Sequence, residues 1–291
     1  MQAPHTIGRF AAAIAAAAAL AAPAHASGIR AAEGIGFYIG VDSLATVASG
    51  TFAGMANPNA GRLTLLLDHG NHFHGIGAYS YGGTAASPVV LPTSANNRLP
   101  EMSSRVTEAA SSIALQAGTG AFAGQWVSGV LPEGTPAADY SYLGAASIQS
   151  LVGRGDAAEV LYGSSGGRWN AAYGDVVVGL RLEGISDGLK VAVGDHLDVF
   201  SGGAGSVFTL GSGSALSFLP TFYTDGAAAP GTYSAQFSLV NLGSNGAVRD
   251  GGSFYYDFSV AAPVPEPGTW ALMLAGLAAA AALARHRRRA H

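Results

Sequence analysis

Two segments near the C-terminal end of the chain alternate polar and apolar residues, and this period of two limits what they can form. They are TYSAQFSLVNL (232–242) and SFYYDFSV (253–260). Their apolar positions are Tyr233, Ala235, Phe237, Leu239, Phe254, Tyr256, Phe258 and Val260. Such alternation is typical of a strand with one buried face, and the turn-rich GSNGAVRDGG between the segments predicts a long antiparallel hairpin.

The glycine content extends this prediction to the rest of the chain. Glycine supplies 42 of the 291 residues, which suits short strands and tight turns and suits long helices badly. We therefore predict an all-β fold over residues 27–262, a β-sandwich of antiparallel sheets joined by glycine-rich turns. One stretch, EMSSRVTEAASSIALQ (101–116), is predicted to be helical, and LPEGTPAAD (131–139) is a candidate sub-boundary between two portions.

The N-terminus predicts export. Arg9 precedes the apolar run FAAAIAAAAALAAPA (10–24), whose last residue begins the AHA pattern (24–26). A basic start, a short apolar run and a small-residue cleavage pattern are the parts of a secretory signal peptide. We predict a signal peptide over residues 1–26, cleaved by signal peptidase before Ser27.

The C-terminus combines three features in order. The triplet Pro265, Glu266 and Pro267 precedes an apolar run over 269–284, and an arginine-rich tail follows. The apolar run predicts a transmembrane helix in the inner membrane. The arginines would hold the extreme C-terminus in the cytoplasm.

This end of the chain, 263–291, resembles the sorting signal of the PEP-CTERM proteins of Gram-negative bacteria. The resemblance implies that an exosortase processes the tail near the Pro-Glu-Pro triplet. It also implies an inner-membrane intermediate, a final place at the cell surface or in the extracellular matrix, and a link to biofilm formation. It carries no information about residues 27–262.

Histidines cluster in the segment LLLDHGNHFHGIGAYSYGG (65–83). His69, His72 and His74 lie there within six residues. On an extended strand, residues two apart project from the same face, so His72 and His74 are expected to be neighbours. Gly70 allows the chain to bend and bring His69 close. Cysteine is absent, so imidazole and carboxylate are the strong ligands available, and three imidazoles suit zinc, with copper or nickel also accepted.

Three candidates for a fourth ligand follow from the sequence: Asp68, a water molecule, and His196 in VGDHLDVF. No catalytic residue is assigned, because the segment lacks the His-Glu-x-x-His pattern of zinc proteases and the glutamate that follows His-x-His in cupin-type sites. No general base is evident near the cluster, so the pattern favours metal binding without turnover. Two alternatives stay open: an adhesive matrix protein whose histidines form a polar turn, and a metal-dependent enzyme.

Charge excludes one class of partner. Residues 27–264 carry nine Lys and Arg against seventeen Asp and Glu, a formal charge of −8, whereas nucleic-acid binding needs a basic surface.

The segments GRLTLLLDHGNHFHGIGAYSYGG, ISDGLKVAVGDHLDVF and APGTYSAQFSLVNL resemble a family of PEP-CTERM proteins repressed by the zinc-uptake regulator. The resemblance spans most of residues 30–262. It implies expression under zinc starvation and surface zinc capture or sparing beside a zinc-uptake system. Carried over by position, it supports His69, His72 and His74, and also His196.

Overall fold

The structure is a computed structural model that describes residues 33–101, 111–244, 246–262 and 267–289. The predicted signal peptide (1–26), Pro265, Glu266 and most of the helix predicted over 101–116 lie outside the described residues.

Strands dominate the described residues, and the helices are few and mostly short. The helices are α1 (Asp156–Tyr162), α2 (Pro267–Arg289) and five 3₁₀ helices at Gly120–Phe122, Ala138–Tyr140, Ile148–Leu151, Ser164–Gly167 and Gly213–Ala215. The strands are β1 (Ile35–Val41), β2 (Leu63–Asp68), β3 (Phe73–Ile76), β4 (Ser80–Thr84), β5 (Ser87–Leu91), β6 (Arg98–Leu99), β7 (Ile113–Ala114), β8 (Gln116–Ala117), β9 (Gln125–Val127), β10 (Gly144–Ser147), β11 (Val177–Ile185), β12 (Lys190–Val193), β13 (Val207–Ser212), β14 (Ser217–Phe218), β15 (Pro220–Asp225), β16 (Gly231–Asn241) and β17 (Ser253–Val260). The all-β prediction is confirmed.

These strands form several sheets. A five-stranded sheet has the order β14-β10-β1-β2-β3, and a six-stranded sheet contains β13-β11-β16-β17-β6, with β7 also paired to β17. A four-stranded sheet has the order β12-β15-β9-β8, and β4 and β5 form a two-stranded hairpin.

The long hairpin predicted near the C-terminal end is confirmed. β16 and β17 pair antiparallel, with Phe237 opposite Phe254 and Ala235 opposite Tyr256. The predicted inward residues of β17 are buried: Phe254, Tyr256, Phe258 and Val260.

Aromatic side chains connect the sheets to one another. Tyr256 of the six-stranded sheet meets Phe37 of the five-stranded sheet, with ring centroids 5.7 Å apart. Phe222 of the four-stranded sheet lies 4.6 Å from Phe258 and 5.4 Å from Tyr256. These three sheets therefore share one apolar core, to which such rings contribute large buried areas.

Two features of the pairing differ from the predictions. The sheets are not wholly antiparallel, because β1 pairs parallel with β10, and β17 pairs parallel with β6 and β7. Parallel partners need long connections, and about a hundred residues separate β1 from β10. The helix predicted over 101–116 is wrong at its C-terminal end, since fully buried Ile113 pairs in β7 with Phe258.

The candidate sub-boundary at 131–139 lies inside this shared architecture. β1 precedes it and β10 follows it, yet the two strands are direct neighbours in one sheet. Leu131 and Ala137, within the segment itself, are both buried in the common core.

The helix α2 occupies the predicted sorting region and begins at Pro267, a residue well suited to a first helical turn. Among the described residues, none of the helices, α2 included, is long and apolar enough to cross a membrane. The transmembrane helix predicted over 269–284 is therefore not supported. Its sixteen residues span about 24 Å as a helix, less than the roughly 30 Å of a bilayer core.

Candidate metal centre

The histidines lie on the hairpin formed by β2 and β3. All six residues of β2 are buried, which fixes this strand between β1 and β3. In the hairpin Leu67 pairs with His74 and Asp68 pairs with Phe73. Phe73, between His72 and His74, is 5 % exposed and its ring meets that of Tyr38, so this residue points into the core.

The turn between the strands brings the third histidine back. Gly70 has a φ of +90°, a conformation that glycine adopts without strain. The carboxylate of Asp68 accepts a hydrogen bond from the Gly70 amide at 2.6 Å, and the His69 amide donates to the His72 carbonyl at 3.0 Å. The turn thus places His69 beside the strand that carries His74.

The three predicted imidazoles do converge. The ring centroids of His69 and His74 are 4.0 Å apart, those of His72 and His74 are 4.9 Å apart, and those of His69 and His72 are 5.4 Å apart. The His72 and His74 Nε2 atoms are separated by 3.0 Å. His72 is exposed, and the side chains of His69 and His74 are 31 % and 40 % exposed, so the cluster is open to solvent on one side.

A buried carboxylate that the sequence did not reveal lies behind these rings. Glu101 Oε2 is 2.9 Å from His69 Nε2, and Glu101 Oε1 is 2.9 Å from His74 Nδ1. Asn96 donates to Oε1 at 2.7 Å, and the hydroxyl of Tyr140 donates to Oε2 at 3.2 Å. The Glu101 side chain is only 4 % exposed.

The surroundings set the protonation of Glu101. Burial acts to raise the pKa of its carboxyl, but hydrogen bonds from His69, His74 and Asn96 outweigh burial and lower that pKa to about 2. A carboxyl with a lowered pKa stays ionised, and an ionised carboxylate accepts hydrogen bonds from the two rings.

The pKa of His72 is lowered, first by desolvation and then by the neighbouring His74 and His69. A lowered pKa favours the neutral imidazole, and neutral imidazole is the form that binds metal ions.

The described residues contain a group with metal-binding potential formed by His69, His74 and Glu101, each offering a ligand atom within 4.8 Å of the others. His72 borders this group through its contact with His74. Asp68 is buried and already binds the Gly70 amide.

His196 lies outside the group. It is exposed, on the turn after β12 where Val193 and His196 exchange backbone hydrogen bonds, and β12 belongs to the four-stranded sheet rather than to the sheet that carries the cluster.

The sequence offered no signal for Glu101. It lies 27 positions after His74, and it opens the segment predicted to be helical. Its place follows from tertiary structure, because the preceding strand β6 pairs with β17 in the six-stranded sheet.

Comparison with known proteins identifies a motif at the C-terminal end of the chain. Residues 263–289 match the PEP-CTERM protein-sorting motif, which confirms the predicted sorting signal. The motif implies export, processing by exosortase, and a surface or extracellular location. No curated protein and no solved structure gives a significant match to the chain. The resemblance of residues 30–262 to the zinc-regulated family stays a prediction.

Proposed function

We propose that this chain is an exported surface protein that binds a divalent metal ion, zinc above all, through His69, His72 and His74. One observation carries the proposal: three imidazoles converge on an exposed hairpin, and a buried carboxylate holds two of them from behind. Histidine that donates to a carboxylate while its other nitrogen binds metal is a recurring arrangement in zinc proteins.

The proposed role is zinc scavenging or buffering at the cell surface under zinc limitation, beside a zinc-uptake system. The open face of the cluster supports exchange with a partner, since a closed four-ligand site would be typical of structural zinc. Signal peptidase and exosortase are the expected processing partners, and the sorting motif supports an inner-membrane intermediate before processing. The acidic charge supports the expectation that nucleic acid is not a partner.

The proposal includes no turnover chemistry. Glu101 supplies a carboxylate close to the cluster, which the sequence had not indicated, and this meets one requirement of a metal-dependent enzyme. However, its lowered pKa and its four hydrogen-bond partners favour a holding role over proton transfer.

One observation favours an adhesive matrix protein as the second candidate. The hairpin β4–β5 exposes Val89, Val90 and Leu91 by 54 %, 50 % and 41 %. An exposed apolar strand is a template for association with another chain. This role needs no metal at the histidines.

A zinc titration separates the two candidates. The full chain, the triple variant His69→Ala/His72→Ala/His74→Ala, and the control His196→Ala are titrated with zinc against a chromophoric chelator. We expect near-stoichiometric zinc in the wild type and the control, and its loss in the triple variant. Absence of zinc from the wild type, or equal zinc in the triple variant, would contradict metal binding at the cluster.

A further inference from the structure

We propose that Glu101 is a positioning residue and not a metal ligand: with Asn71, it holds ring N–H groups so that the Nε2 atoms of His72 and His74 form the metal-binding pair. This inference rests on the proposed metal binding and specifies which atoms perform it. It separates two arrangements that the same cluster allows, one with the carboxylate bound to the metal and one without.

The acceptor positions of the Glu101 carboxylate are all in use. Glu101 accepts four hydrogen bonds, two on each oxygen: His74 and Asn96 on Oε1, and His69 and Tyr140 on Oε2. An ionised carboxylate offers about four acceptor positions, so these contacts use all of them. A metal bound to Glu101 would have to displace at least one of these donors.

The hydrogen-bond partners of the three imidazoles determine which ring nitrogen carries the proton. A carboxylate that accepts from Nδ1 of His74 places the proton of that ring on Nδ1, which leaves a lone pair on Nε2. His72 Nδ1 lies 2.6 Å from the amide oxygen of Asn71, so its proton too is on Nδ1. His69 donates to Glu101 from Nε2, so its proton is on Nε2 and Nδ1 is left as its ligand atom.

His72 and His74 are in contact through their Nε2 atoms. Their Nε2 atoms, the two that carry lone pairs, are 3.0 Å apart. Two lone pairs at this distance repel each other unless a cation, either a proton or a metal ion, lies between them. Two nitrogens that each bind a tetrahedral zinc ion at 2.0–2.1 Å are about 3.3 Å apart, close to the separation seen. The apposition therefore fits a shared metal ion.

The choice of ligands decides the class of metal. Two histidines and one carboxylate with open positions form the facial site typical of non-haem iron(II). Imidazole nitrogens without the carboxylate suit the borderline ions zinc, copper and nickel. The proposed arrangement thus selects zinc-like ions over manganese and iron(II).

X-ray absorption at the zinc edge tests the ligand set on the zinc-loaded full chain. We expect a first shell with imidazole scattering and without a carboxylate, unchanged in Glu101→Gln, whose zinc affinity falls about 10- to 100-fold. Asp257→Asn is the matched control, a buried carboxylate in a different sheet, and should keep both the spectrum and the affinity. A carboxylate contribution that disappears in Glu101→Gln would overturn the inference while leaving the proposed metal binding intact.

Imidazole ¹⁵N NMR tests ring positioning without metal, so it remains informative if no zinc binds. At pH 8 we expect His74 and His72 to carry Nδ1–H and His69 to carry Nε2–H. The tautomer of either His69 or His74 should change in Glu101→Gln, because an amide has one accepting oxygen for two donating rings. That of His72 should change in Asn71→Ala, a variant on the exposed turn that keeps the test available if Glu101→Gln does not fold. Nε2–H on both His72 and His74 in the wild type would overturn the inference.

Discussion

Two buried carboxylates in this molecule have opposite kinds of partner. Asp257, 1 % exposed in the six-stranded sheet, accepts two hydrogen bonds from the Arg98 guanidinium at 2.8 and 2.5 Å and one from Ser234. Glu101, 3 % exposed, accepts from two imidazoles. Both are desolvated charges that need compensation, but only one of them lies at a cluster of ligand atoms.

The guanidinium and the imidazoles differ in the binding capacity that remains after they donate to the carboxylate. A guanidinium carries donors only and stays charged, so the Arg98–Asp257 pair is complete within the protein. An imidazole that donates through one nitrogen keeps a lone pair on the other, so the partners of Glu101 can each bind a further atom. A buried carboxylate held by histidines therefore indicates a binding function, whereas one held by arginine indicates a structural role.

The largest expected effect comes from removing the structural carboxylate. Asp257→Ala leaves the Arg98 charge without its partner, and we expect a loss of about 3 kcal/mol in the free energy of unfolding. Urea unfolding followed by circular dichroism measures this loss. Zinc affinity should stay that of the wild type. A variant that loses zinc while remaining stable would break the proposed division between the two carboxylates.

Zinc should stabilise the protein only through the histidine cluster. At a free zinc concentration 100 times the dissociation constant, binding adds about 2.7 kcal/mol to the free energy of unfolding. We expect this gain in the wild type and in Asp257→Ala, and its absence in the triple histidine variant. An equal gain in the triple variant would place the metal elsewhere.

Packing behind the cluster should matter less. A Cβ at Gly75, next to His74, would lie 3.1 Å from the Trp169 ring and 3.4 Å from Thr64. We therefore expect Gly75→Ala to lower the free energy of unfolding by about 1–2 kcal/mol through overpacking, measured by urea unfolding. Gly184→Ala, where a Cβ meets no atom within 4 Å, is the control and should change stability by less than about 0.5 kcal/mol. Equal effects would show that the Trp169 ring can move away from a Cβ at position 75 at little cost.

The smallest effect is expected at His196. This exposed side chain lies outside the cluster, so His196→Ala should change stability by less than about 0.5 kcal/mol and leave zinc affinity unchanged. A clear loss of zinc affinity in the chelator titration of this variant would restore His196 as a ligand.

The features that could be predicted from the sequence are those determined by residues close to one another in the chain. The alternation in β16 and β17 and the spacing of His72 and His74 each act within a few residues, and both predictions agree with the structure. The sorting signal is contiguous and was therefore readable at 263–289.

The predictions that failed depend on distant partners. Helical propensity around Ile113 is overridden by pairing with β17, and the parallel neighbours β1 and β10 meet across a long connection. Glu101 reaches the histidines only because the five-stranded and six-stranded sheets pack together, so no spacing in the sequence indicates it.

Anomalous diffraction at the zinc edge, from crystals of the zinc-loaded full chain, shows directly whether the histidine cluster binds zinc. We expect a peak about 2.0–2.1 Å from Nε2 of both His72 and His74, with Glu101 still hydrogen-bonded to His69 and His74 behind them. Absence of a peak at the histidines, or a zinc ion bound only at other residues, would contradict it.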